Sequence, residues 1–150
     1  MTYVRSNDGT RIHYTQTGRP GAPPVLFIQG LGMSKNGWIL QRAASAPWYQ
    51  AIALDNRGAG RSDKPHGRYS IEQMADDAIA VLDHAGIETA HVVGASMGGV
   101  ISQFIGVKYP ERTRSLTLAC TACANYPWRA EMLAEWRDRA LAEGMGAMSS

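Results

Sequence analysis

The chain alternates short apolar runs with segments whose apolar residues recur at helical spacing. Residues 25–28 (Val-Leu-Phe-Ile), 51–54 (Ala-Ile-Ala-Leu), 90–93 (Ala-His-Val-Val) and 115–119 (Ser-Leu-Thr-Leu-Ala) have the length of strands buried in a parallel sheet. Upstream, residues 2–5 and 11–16 read as two further strands. They are joined by Ser6-Asn7-Asp8-Gly9-Thr10, whose Asp-Gly pair signals a hairpin. The Gly- and Pro-rich segment 17–24 reads as a loop. The clearest helix covers 70–85, where Ile71, Met74, Ala75, Ala78, Ile79, Leu82 and Ala85 share one face. Ser70 with Gln73 forms a capping box, and Gly86 supplies the stop. Val100, Ile101, Phe104, Ile105 and Lys108 repeat the helical period, and a helix entry is expected near 35–40. After Pro127, Met132, Leu133, Trp136, Ala140 and Leu141 form a last stripe, which ends at Gly146-Ala147-Met148-Ser149-Ser150. Strands alternating with helices predict an α/β class: a mostly parallel sheet with helices on both faces.

Composition narrows the partners without changing the fold. With 150 residues, 45% hydrophobic and 19% charged, the chain is one domain's worth of globular sequence. A net charge of +2 without a basic block argues against nucleic acid. No apolar run approaches a membrane span and no signal peptide is visible at the start, so a cytoplasmic location is expected. Cys120 and Cys123 form an isolated C-x-x-C with no further zinc ligands near by and no helix start behind it; two reduced thiols beside a pocket are expected. No metal or organic cofactor is implied.

Candidate chemistry concentrates in Gly94-Ala95-Ser96-Met97-Gly98-Gly99, set between a strand and a helix. A G-x-S-x-G in that context describes a nucleophile elbow, with the serine on a strained turn at a helix start. Side chains at Gly94 or Gly98 would clash across so tight a turn, and the serine is forced towards positive φ. The helix N-terminus then favours negative charge developing on a substrate. A serine nucleophile also needs donors for the oxyanion. Gln29-Gly30-Leu31-Gly32 follows the first buried strand, and the expected donors are the backbone N–H groups of Met97 and Leu31. The third element, Asp55-Asn56-Arg57-Gly58-Ala59-Gly60-Arg61-Ser62-Asp63, reads as a loop brace in which Asp55 binds turn amides and pairs with Arg57.

In this order, these motifs resemble the α/β-hydrolase family, and most of all its small esterases, enol-lactonases and cofactor-free perhydrolases. The resemblance runs from Tyr3 to about Trp128. It implies an α/β-hydrolase fold with Ser96 as nucleophile and the Met97 and Leu31 amides as oxyanion hole. It further implies an N-terminal part of the core over 1–124 and the start of a helical cap over 125–150.

Two departures stand out. Gln29 replaces the histidine that usually braces the oxyanion loop. More seriously, the family places its triad acid and histidine after the serine, whereas His13, His66, His84 and His91 all precede Ser96. Asp138 and Glu143 follow it, on the cap helix. The chain is therefore expected to be the N-terminal part of a longer hydrolase. That would leave strand 115–119 as an exposed edge and the Trp136 stripe without a partner.

The expected reaction is acyl transfer to water from an ester, lactone or thioester through an acyl-enzyme on Ser96. Perhydrolysis, C–C hydrolysis and lyase chemistry stay open. Gln29, Met33, Met97, Cys120 and Trp128 are the candidate pocket residues for a small-molecule acyl substrate, and homo-oligomer formation is left open. Two alternatives stand beside this reading. One is an inert fragment or a non-catalytic ligand-binding relative. The other is a dinucleotide-binding domain, suggested by Gly30-Leu31-Gly32 after a strand and Asp55 ending the next, although Lys35 stands where its third glycine would fall.

Overall fold

Strands buried on both faces need helices on both sides, and that requirement organises the chain. A computed structural model describes residues 2–124 and 126–144. It contains β1 (Thr2–Arg5), β2 (Arg11–Gly18), β3 (Pro24–Ile28), a 3₁₀ turn (Lys35–Trp38), α1 (Ile39–Ser45), β4 (Gln50–Leu54) and α2 (Ile71–His84). There follow β5 (Ala90–Ala95), α3 (Met97–Lys108), a second 3₁₀ turn (Pro110–Arg112), β6 (Thr113–Ala119) and α4 (Pro127–Glu143). Every expected strand is present, most of them one or two residues longer. The tail from Gly146 to Ser150 lies outside the described residues, as does Asn125.

The strands form one sheet in the order β1-β2-β4-β3-β5-β6. β1, β2 and β4 pair antiparallel, and β4, β3, β5 and β6 run parallel. Alternation assigns each strand's side chains to two cores. Ile12, Tyr14, Leu26, Ile28, Ile52, Leu54 and Val92 meet α2 and α3 through Met74, Ala78, Leu82, Ile101 and Ile105. Val25, Phe27, Ala51 and Ala53 face the other way, onto Trp38.

Local signals decide where the helices start and stop. At the start of α2, Ser70 Oγ accepts the Gln73 amide at 3.0 Å and Gln73 Oε1 accepts the Ser70 amide at 2.9 Å. Gly86, at φ +68, ends the turn beyond it. The opposite end of the sheet is thinly covered. β6 is an edge strand with no buried residue, and Leu116 and Leu118 stand exposed. No residue of α4 is buried either, Trp136 included. No helix among the described residues is long and apolar enough to cross a membrane.

Candidate active site

The parallel strands β3, β4 and β5 end at one edge of the sheet, and the three sequence motifs follow them there. β5 runs straight into α3 with only Ser96 between them, which leaves no room for an ordinary turn. Ser96 therefore takes φ 52 and ψ −119, a region that side chains disfavour. Its amide donates to the Ala119 carbonyl at 2.9 Å, and its own carbonyl accepts the Gly99 amide at 2.9 Å. Its hydroxyl makes no capping bond and is exposed to a cavity. A Cβ on Gly98 would overlap the carbonyl of Ile28, and one on Gly94 would overlap the carbonyl of Gly98. Glycine at both positions is thus what lets α3 approach the sheet.

The loop after β3 lies against this serine. A Cβ on Gly30 would come within 3.2 Å of Ser96 Cβ and 3.7 Å of its Oγ. Gln29 turns its own side chain back, so that Oε1 accepts the Gly30 amide at 2.9 Å, and its carbonyl accepts Asn56 Nδ2 at 2.9 Å. The next amide, that of Leu31, has no partner among the described residues. The Met97 amide opens α3, where a helix provides no internal acceptor. Two donors are left unpaired in the segments that flank the Ser96 side chain.

The cavity is about 730 Å³ in volume. Of the expected pocket residues, Met97, Cys120 and Trp128 line it, together with Ser96 and Leu31. Gln29 and Met33 do not: the Gln29 side chain is consumed in the loop, and Met33 stands half exposed outside the lining. Cys120 and Cys123 are free, exposed thiols, both in the cavity wall. Helix α4 supplies much of the opposite wall through Met132, Leu133 and Trp136. It also supplies Arg129, which sequence reasoning missed. The available signal was spacing, because Arg129 stands three, four and seven residues before Met132, Leu133 and Trp136, on their face of the helix.

The Asp55 loop is a brace, with one correction to its wiring. The Asp55 carboxylate accepts the Lys35 amide at 2.7 Å, His13 Nδ1 at 2.9 Å, the Arg61 amide at 3.2 Å and Lys35 Nζ at 3.3 Å. Burial alone would raise this carboxyl's pKa, but the Lys35 amide, His13 and the Arg61 amide outweigh it and hold the pKa below its ordinary value. So filled, Asp55 has no place for the expected Arg57 pairing. Arg57 instead binds both Asp77 oxygens at 2.7 Å and Asp8 at 2.7 Å. The same saturation removes the dinucleotide-binding reading, which needs Asp55 free for a ribose.

No histidine lines the cavity among the described residues. His13 is bound to Asp55, His84 to the Tyr14 hydroxyl at 2.8 Å and His91 to Ser115 Oγ at 2.8 Å, while His66 lies exposed in its loop.

The family model described as alpha/beta hydrolase fold matches residues 23–143. The 3-oxoadipate enol-lactonase 2 of Acinetobacter baylyi is 37% identical over 111 residues, covering 74% of this chain and 42% of that protein. The rhodomycin D methylesterase DnrP of Streptomyces peucetius is 30% identical, covering 96% of this chain and 50% of its own length. The crystal structure of the enol-lactonase from Burkholderia xenovorans LB400 superimposes with a TM-score of 0.90 at 31% identity, over 98% of this chain and 56% of that one. The chain thus spans about half the length of the curated relatives it matches.

Proposed function

The chain belongs to the alpha/beta hydrolase fold family, and from that membership we propose that it is a serine hydrolase of carboxylic esters, lactones or related acyl substrates. The observation that carries the reading is the Ser96 backbone: φ 52 and ψ −119 between β5 and α3, with the Gly30 loop against its side chain. The names of the relatives, two enol-lactonases and a methylesterase, support the ester and lactone classes.

In this reading Ser96 Oγ attacks the acyl carbonyl. The oxyanion forms between the Met97 and Leu31 amides, and the alcohol leaves. Water then cleaves the acyl-enzyme. Each donor contributes about 3 kcal/mol to the transition state. No histidine, aspartate or glutamate among the described residues lines the cavity, and the reading assigns the triad acid and histidine to sequence outside these 150, which the half-length match to the relatives supports. Without a base, kcat falls by about 10⁶, while the oxyanion donors retain about 10³ over water.

A fluorophosphonate probe tests this. Slow, stoichiometric labelling at Ser96 is expected, accelerated by added imidazole acting as an external base and abolished in Ser96→Ala. Labelling scattered over other serines, or an imidazole response no greater than that of a serine peptide, would overturn it. One observation, the absence of histidine from the cavity wall among the described residues, favours a second reading as a non-catalytic ligand-binding relative. Saturable ligand binding without any Ser96 labelling would select that reading.

A further inference from the structure

The wall around Ser96 is built from neutral side chains with one exception among the described residues, Arg129 in the first turn of α4. Arg129 is partly buried, and among the described residues its guanidinium makes no hydrogen bond or ion pair. The two other arginines of α4 are exposed and paired: Arg137 with Asp138 at 2.7 Å and Arg139 with Glu143 at 3.2 Å. The helix therefore provides carboxylates for its cations where they face solvent, and none for the cation that faces the cavity. A guanidinium stays charged at every pH a protein meets, and its flat fork of donors matches a carboxylate in two parallel hydrogen bonds. Partly buried in a wall it shares with Met132, Leu133 and Trp128, such a charge is less hydrated than on an open surface, which strengthens its attraction for an anion.

We propose that Arg129 binds a carboxylate of the substrate, so that the preferred acyl compounds are esters or lactones bearing a free carboxylate besides the reacting carbonyl. The proposal rests on Ser96 as the reacting residue only for which carbonyl is attacked; the anion preference belongs to the cavity itself. Ser96 and Arg129 line the same cavity of about 730 Å³, a volume in the range of small-molecule sites.

Binding of monomethyl glutarate and of dimethyl glutarate to the whole chain, followed by NMR titration, provides the test. The monoanion is expected to bind about tenfold more tightly, the effect of one charge-assisted pair near a surface. Salt should reduce that ratio by weakening the monoanion alone. Arg129→Gln should bring the two affinities together by weakening only the monoanion, and Arg129→Lys should leave an intermediate ratio. Equal affinities in the unmodified chain would overturn the proposal without reference to any variant, as would an unchanged ratio in Arg129→Gln. Repeating the titration in Ser96→Ala separates the two readings. A preserved ratio with no Ser96 labelling in the parent chain sinks only the hydrolase, and labelling without the ratio sinks only the anion site.

Discussion

The turns that follow β4 and β5 leave the same edge of the parallel sheet and complete their hydrogen bonding in opposite ways. After β4, the Asp55 carboxylate is filled by two amides, a histidine ring and an ammonium, and Ser62 Oγ closes on the Asp55 carbonyl at 2.6 Å. After β5, Ser96 sits in a disfavoured backbone region with its hydroxyl uncapped, before a helix whose first amide has no internal acceptor. One turn uses its polar groups to fix a loop; the other leaves them facing a cavity. A strand end therefore does not make a site. In the proposed reading, unsatisfied donors and stored backbone strain at that end do.

The sharpest way to break this contrast is to empty the filled turn. Asp55→Ala leaves a buried ring, an ammonium and two amides without their acceptor, and should lower the unfolding free energy by about 4 kcal/mol in urea denaturation. A loss below about 1 kcal/mol would show that the β4 turn is no more committed to the fold than its neighbour.

Acid should act more gradually on the same group. Asp55 has a lower pKa in the folded chain than its ordinary value, so the unfolded chain binds the extra proton. Its contribution is fully present above the unfolded value, near pH 4, and is lost as pH falls through the folded one. In a plot of urea midpoint against pH, Asp55→Asn should flatten the acid limb. An unchanged limb would place the acid sensitivity at Asp8, Asp63 or Asp76, whose pKa values are also depressed.

The smallest effect concerns the open turn. Ser96→Gly relieves a backbone at φ 52 and should raise stability by about 1 kcal/mol while abolishing covalent labelling. Thermal denaturation reads the first part. A variant less stable than the parent would mean that the turn carries no strain.

Much of this contrast was legible in the linear chain, because it rests on short-range rules. Gly94, Ser96 and Gly98 between a β-branched run and a helical period specify the tight junction, and Ser70 with Gln73 specifies the start of α2. The continuous apolar run 25–28 likewise announced a strand buried on both faces, and the structure puts Val25 in one core and Leu26 in the other. The destination of Arg57 was not legible. Its partner Asp77 lies 20 residues on and reads as a polar helix position, and only the packing of α2 beside the loop buries it. Gln29 was expected at the pocket, but the amide of the next residue, Gly30, captured its side chain.

By itself, the sequence determined the order of strands and helices, the two faces of the sheet and the serine at the junction of β5 and α3. Those follow from periodicity and from the few backbone shapes that glycine, proline and capping residues permit. Only the tertiary structure decided which polar groups were already taken and which remained open. Asp55 and Gln29 were drawn into the fold, while Ser96 and Arg129 were left lining one cavity and the Leu31 amide without a partner among the described residues. The reason is physical: hydrogen bonds and ion pairs are short-ranged and compete for the same partners, and that competition is settled only when distant segments come within about 3 Å of one another.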